Sequence, residues 1–446
     1  MYIKTQKFFV LGVSKSGYAV AKYILKNGGT CYLYEDLKSV KIENALKELK
    51  MLGAEQVEKT QAEDYIDKCD VLVISPGAPI NHEFAVMAKK KGKRIIGELE
   101  FGFIQFSPLT VAVTGTNGKT TTVTLIDAIL KENNIKSHLV GNVGVPITSK
   151  IQDVDSDSVC VAEVSSFQLE SVYSFCPHIS CVLNVTPDHL ERHYSMENYI
   201  FLKKRIFKNQ RESEYTVLNY DDKTVRSFYT EIRSKIIWVS LSEVVDGAYR
   251  KDGQLFFNSE YIMQESDLML KGEHNVCNAL FAISCAKILG VSTEKIVSAL
   301  KNFKGISHRL EFICNKNGVS YFNDSKATNT ASTLSALDTL TAPTVLILGG
   351  SEKGESYDAL FDKIKASYVK HVVITGASRF NMLDAAGRAG YSNLTVTPDF
   401  NYAVRIANLI ADKGDNVLLS PGCASFDNFN GYEERGNAFK KIVENF

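Results

Sequence analysis

Along the chain, short apolar runs alternate with apolar residues at helical spacing, and the alternation starts afresh three times. The run KFFVLGV at 7–13 predicts a buried strand. Tyr18, Val20, Ala21, Ile24 and Leu25 then recur on one helix face until Gly28 and Gly29 stop it. Further strands are predicted at 31–34, 71–74 and 94–96 with helical patterns between them, which implies a parallel sheet wrapped by helices. A second series begins at Leu109 and predicts strands at 159–164, 179–184, 215–218 and 236–239. Its later stretch GAYRKDGQLFFNSEYI reads as antiparallel hairpin material turning at Asp252 and Gly253. Helical patterns at 274–289 and 293–303 close that series. The third predicts strands near 319–323, 345–348, 372–374 and 417–419 and a helix at 357–366.

The pattern predicts an α/β protein of three domains. A Rossmann-like N-terminal domain covers 1–106, and a Rossmann-like C-terminal domain covers 305–446. Between them, 107–304 form a central P-loop ATPase-like domain with a mostly parallel sheet, helices on both faces and a small antiparallel element. The length of 446 residues agrees, at roughly 150 residues per domain.

Composition narrows the function. Lysine plus arginine equals aspartate plus glutamate at 51 each, so no global field favours nucleic acid or an acidic membrane surface. The nine cysteines are odd in number, scattered and free of any C-x-x-C pair, which favours reduced thiols over a disulfide or zinc framework. The opening MYIKTQKFFVLGVSKSG has too short an apolar run for a signal peptide, and no run nears the ~20 residues of a membrane span. A soluble cytoplasmic protein is expected.

The segment VAVTGTNGKTTT reads as a strand feeding a phosphate-gripping loop at a helix N-terminus. Gly115 and Gly118 let the backbone N–H groups around Thr116 and Asn117 approach phosphate oxygens. Lys119 supplies a cation for the β and γ phosphates, Thr120 can place its hydroxyl on Mg²⁺, and Thr121 follows in the first helical turn. Val113 stands where the strict Walker pattern has its first glycine, so the loop is a variant. A glycine-rich turn with a chance lysine is the plain alternative.

In the first domain, Gly12-Val-Ser14-Lys-Ser16-Gly17 sits where a dinucleotide fingerprint would, with Ser14 in place of the second glycine. Asp36 after the second strand and Ser75-Pro76-Gly77 after the third suggest a nucleotide-diphosphate pocket. A helix-starting turn capped by Ser16 is the alternative. Glu163 ends a predicted strand in CVAEVSSFQLE, and NVTPDHLERH brings Asp188 and His189 to the same sheet edge, where they suit a Mg²⁺ site. His193 and Glu191 read as surface residues. In NYIFLKKRIFKN, Lys203, Lys204 and Arg205 read on their own as a solvated face.

The ordered segments TGTNGKTT, EVSSFQLE, NVTPDHLERH, GEHNVCNAL, SHRLE, NDSKATN and LLSPGCASFDNF resemble the Mur ligases of bacterial cell-wall synthesis over nearly the whole chain. DSKATN and SPGCASFD point within that family to the members that add D-glutamate to UDP-N-acetylmuramoyl-L-alanine. The resemblance implies that the first domain holds the uridine substrate, the middle one ATP and two Mg²⁺ ions, and the last one D-glutamate. Domain closure then excludes water from an acyl-phosphate intermediate. It implies catalytic roles for Lys119, Glu163, His189 and Lys203, with Thr120, Glu163, His189 and Lys203 on the metals. Lys203 matches the position carbamylated by CO₂, four residues after Tyr199, and neighbouring Lys204 leaves a one-residue ambiguity.

By the same resemblance, Asn275, Asn278, Arg309, Asp324 and Lys326 join the ATP side. Asn142 and His308 join Ser14, Ser16, Gly17, Asp36, Ser75 and Gly77 on the uridine substrate. Thr328, Lys353, Ser425, Phe426 and Tyr432 match the D-glutamate positions, where a cation and hydroxyls suit two carboxylates and the peptide N–H groups around Ser425 serve equally. Thr328 as a helix cap, Lys353 as a loop charge and Phe426 as core are the plain alternatives. A monomer fits the family. The rival functions are another Mur-type or folylpolyglutamate-type ligase, a nicotinamide-dependent oxidoreductase and a non-catalytic nucleotide sensor.

Overall fold

The computed structural model describes residues 2–270, 272–303, 305–352 and 356–446. The chain forms two compact units, Met1–Phe303 and Lys304–Phe446. The three hydrophobic series become three sheets, and the first two sheets share the first unit.

The first sheet contains β1 (Lys7–Leu11), β2 (Thr30–Tyr34), β3 (Glu55–Gln56), β4 (Val71–Ile74) and β5 (Arg94–Gly97). All its pairs are parallel, in the order β3-β2-β1-β4-β5. Its strands are apolar on both faces because helices cover both. Phe8 and Val10 enter one core, and Phe9 and Leu11 the other. Strand order reverses beside β1, so the connections after β1 and β4 lead to opposite sides of the sheet, the place where such sheets bind ligands.

The second sheet contains β6 (Leu109–Thr114), β7 (Ser137–Gly141), β8 (Val159–Glu163), β9 (Ile179–Val182) and β10 (Tyr215–Asn219). It continues with β11 (Lys235–Ser240), β12 (Gly247–Lys251), β13 (Gln254–Phe257) and β14 (Glu260–Gln264). The order is β14-β13-β12-β11-β10-β9-β6-β8-β7, parallel except for the last hairpins. The β12–β13 turn falls on Asp252 and Gly253, both at positive φ, as the Asp-Gly pair predicts.

Two buried carboxylates on the helix Glu98–Phe106 pin the first sheet's layer to the second's. Glu100 accepts from the backbone N–H groups of Tyr173, Ser174 and Phe175 at 2.8–3.0 Å and from the Ser174 hydroxyl. Glu98 accepts from the Thr148 N–H at 2.8 Å, and burial pushes its carboxyl up to about 7.

The third sheet, in the second unit, contains β15 (Glu311–Lys316), β16 (Val319–Asn323), β17 (Thr344–Gly349), β18 (Val369–Thr375), β19 (Leu394–Val396) and β20 (Asn416–Leu419). Its order is β15-β16-β20-β17-β18-β19, and only β15 runs antiparallel to its neighbour. Among the described residues no helix is long and apolar enough to cross a membrane, and all nine cysteines are free thiols.

Candidate functional site

The carboxyl ends of β7, β8, β6 and β9, four neighbours in the second sheet, carry the predicted phosphate-site residues. After β6 the loop turns into the helix Lys119–Glu132 at Gly118, whose φ is +85°. A Cβ at Gly118 would lie 2.4 Å from the Asn278 Oδ1, so only glycine fits there. Asn278 is therefore placed behind the loop, where its Oδ1 also accepts from the Thr122 hydroxyl at 3.2 Å. The Lys119 ammonium lies over the loop, bonded to the carbonyls of Gly115 (2.8 Å) and Thr116 (2.7 Å). With the helix N-terminus below it, this is a surface for a polyanion.

Glu163, at the end of β8, is buried and bonded on both oxygens. Thr120 Oγ1 donates to Oε2 and Asn142 Nδ2 to Oε1, each at 2.7 Å. A cavity of about 120 Å³ opens beside them, lined by Lys119, Asn142, Phe167, Asp188, His189 and Lys203 among others. His189 holds a left-handed backbone (φ +52°), a conformation found sparingly outside glycine and seen often at functional positions. Its ring nitrogens lie 3.6 Å from Asp188 and 3.5 Å from Glu191.

The structure separates the two adjacent lysines. Lys203 is only 1% exposed, with its Nζ 4.4 Å over the Tyr199 ring and facing the cavity, whereas Lys204 turns outward to pair with Glu231. Burial first, and the neighbouring Lys119 charge second, push the Lys203 amine well below the ordinary lysine range. The solvated-face reading of this helix is thus corrected for Lys203. His193 is corrected too. Expected at the surface, it is fully buried because the short helix Leu190–His193 turns inward. Its ring stacks on Tyr199 at 5.1 Å, with Nε2 3.0 Å from the Ser166 hydroxyl.

At the first sheet's edge, Gly17 packs so tightly that an added Cβ would meet the Gly12 carbonyl at 1.8 Å. Ser75 donates to that same carbonyl at 2.6 Å. Ser14, not Ser16, is the N-cap residue, and Ser16 lies within the first helical turn. The acidic residue meeting this loop is Glu35, which accepts from the Val13 N–H at 2.6 Å. Asp36 instead bonds Tyr34 (2.8 Å) and His82 (2.9 Å). The acidic pair Glu35-Asp36 follows the strand without a break, so the sequence alone does not tell which of the two meets the loop.

In the second unit, the loops after β16, β20 and β17 meet at one edge. Asp324 is buried, accepts from Ser420 Oγ (2.7 Å) and the Leu310 N–H (3.2 Å), and burial pushes its carboxyl up to about 6. Ser425 is buried, while Phe426 is 71% exposed and so no part of the core. Thr328 is not the helix cap, because Asn329 accepts from the Ser332 N–H in that role. Lys353 lies outside the described residues. His308, expected on the uridine substrate, is held within the second unit. Its buried ring packs against Gly436, and its Nδ1 pairs with Asn323 at 2.9 Å.

Comparison with known proteins follows this division. Residues 113–286 match the Mur ligase middle domain, and residues 308–423 match the Mur ligase, glutamate ligase domain. The UDP-N-acetylmuramoylalanine--D-glutamate ligase of Caldanaerobacter subterraneus is 38% identical over 446 residues, covering 99% of both chains. That of Clostridioides difficile is 37% identical over 450 residues, covering 100% of both. The chain belongs to the Mur ligase family. Solved Mur ligases share its fold at low identity. MurC of Thermotoga maritima superposes with a TM-score of 0.60 at 17% identity over 99% of both chains. MurF of Acinetobacter baumannii gives 0.61 at 18% identity over 94% of this chain and 91% of its own.

One residue that shapes this Mur ligase loop escaped sequence reasoning. Asn184 accepts from the N–H groups of Thr116 (3.0 Å) and Asn117 (2.8 Å) and donates to the Asn117 carbonyl (3.1 Å), so it holds the loop open from β9's side. The only signal was its place at the head of NVTPDH. Asn184→Ala leaves the Asn117 amide unheld, while Thr116 keeps its bond to the Asn184 backbone carbonyl (3.0 Å), and is expected to raise the KM for ATP about tenfold. Steady-state titration of ATP checks this, and an unchanged KM would refute the role.

Proposed function

We propose that the chain joins D-glutamate to UDP-N-acetylmuramoyl-L-alanine at the expense of ATP, in cytoplasmic peptidoglycan precursor synthesis. The observation that carries this reading is that Lys119, His189 and Lys203 line one small cavity together with Asn142, which bonds the Glu163 carboxylate that Thr120 also holds. The full-length likeness to enzymes named for the D-glutamate reaction supplies the substrates. Both substrates and ATP are anionic, so cations must offset their repulsion before a carboxylate reaches a phosphorus atom.

The donor set fits magnesium. Among the described residues no three His, Cys, Asp or Glu side chains form a ready-made cage, as expected for an ion held by one or two protein ligands, phosphates and water. Thr120 and Glu163 would hold one ion, and His189 with a carbamate on Lys203 a second. Mg-ATP would supply the phosphoryl group that activates the alanyl carboxylate. Lys119 would neutralise its phosphates, and the amine of D-glutamate would then displace phosphate. Holding a lysine well below its usual range favours the unprotonated amine that CO₂ needs. The loops bearing Thr328 and Ser425, with Tyr432 at the start of its helix, would receive D-glutamate, and the sheet edge beside Gly12 and Gly17 the uridine diphosphate.

Purified protein supplied with ATP, Mg²⁺ and UDP-N-acetylmuramoyl-L-alanine is expected to release phosphate only when D-glutamate is added. Equal release with L-glutamate or L-lysine would overturn the assignment in favour of a sister ligase.

A further inference from the structure

The helix Tyr432–Glu444 starts at the carboxyl edge of the third sheet, and its fourth residue, Arg435, is buried beneath the converging loops with 2% of its surface exposed. All five of its N–H donors are used. Nε donates to Ser325 Oγ at 3.0 Å. Nη1 donates to the carbonyls of Gly349 (3.4 Å) and Ala424 (3.2 Å), and Nη2 to those of Ser325 (2.9 Å) and Cys423 (3.0 Å). Ser325 Oγ in turn donates to the Tyr432 carbonyl at 2.8 Å, which closes the ring back onto the arginine's own helix.

Two features set this arginine apart from an ordinary core residue. Its acceptors come from three neighbouring segments, the loops after β16 and β20 and the last residue of β17, so a single fork fixes the spacing of segments far apart in sequence. Every acceptor is a neutral oxygen. A buried cation is normally matched by a carboxylate in contact, because removing it from water is costly. Here Asp427 and Asp324 act on it only through space. Burial lowers its pKa to about 10, which leaves it charged at neutral pH. The edge that carries Thr328 and Ser425 therefore has a fixed positive charge behind it.

We propose that Arg435 is a positioning residue for the amino-acid site of the second unit, clamping these three segments and biasing it toward a ligand with two carboxylates. The ligand's identity rests on the D-glutamate reading, whereas the clamp does not. Lysine has three donors at one point and cannot span the loops. In Arg435→Lys, amide hydrogen exchange at 323–328, 349–351 and 423–426 is expected to speed up about tenfold, with the KM for D-glutamate up about thirtyfold. The KM for the uridine substrate should stay within about threefold. Ser325→Ala, which removes one acceptor, should shift both readouts the same way but less, and it decides the matter if the lysine variant does not fold.

Unchanged exchange in folded variants, or equal rises in both KM values, would overturn the proposal. If the wild-type enzyme prefers another amino acid, the functional assignment fails. The clamp then stands only if the exchange change persists and the KM for that amino acid rises.

Discussion

Lys203→Ala is expected to lower phosphate release at least about a thousandfold, because it removes the group proposed to bridge to the second metal ion, and such charge stabilisation is worth several kcal/mol. The side chain is buried over Tyr199 and faces the cavity shared by Lys119 and His189, so its loss falls on chemistry. Lys204→Ala is the matched control. That side chain pairs with Glu231 at the surface, and its loss should change the rate less than about threefold. An excess of a short carboxylic acid should partly restore Lys203→Ala, since a carboxylate can occupy the space of a carbamate. Near-normal turnover by Lys203→Ala would show that the metal bridge is misassigned, and a severe loss in Lys204→Ala would show that the wrong lysine was chosen.

That choice illustrates what the sequence could reveal. Hydrophobic runs placed the central strands well because those strands are buried on both faces, so their signal is continuous. The strand predicted at 345–348 lies within Thr344–Gly349, which is buried at every position. Short edge strands such as Glu55–Gln56 and Leu394–Val396 were missed because too few of their residues are buried to stand out. The phosphate loop was legible because glycine, lysine and threonine act there locally. Lys203 and Lys204 looked alike, since burial is decided by how the helix Met196–Lys204 rotates against Tyr199 and the loop. Glu35 and Asp36 looked alike for the same reason. Asn184 and Arg435 were invisible because each acts through backbone groups of other loops, and no spacing rule links an asparagine or arginine to carbonyls or amides brought near by folding.

Glu98→Gln is expected to stabilise the first unit at pH 8 by about 3 kcal/mol and to change it little at pH 5, on the scale of ~1.4 kcal/mol per pKa unit. Burial raises the Glu98 carboxyl from its ordinary 4.5 to about 7, so the folded protein keeps this proton where the unfolded chain has lost it. Its contribution to stability is full below pH 4.5 and disappears as pH rises through 7. Glutamine stays neutral throughout and can still accept from the Thr148 N–H. Its amide can also donate, where Glu98 Oε2 and Thr148 Oγ1 are now both buried without partners. Calorimetry at the two pH values checks the prediction. In the second unit Asp324, raised to about 6, gives a slope of the same sign, so the comparison must be made within the first unit's transition. A stabilisation equal at pH 5 and pH 8 would mean that Glu98 is already ionised in the folded state. The carboxylate pin between the two layers would then be a charged anchor.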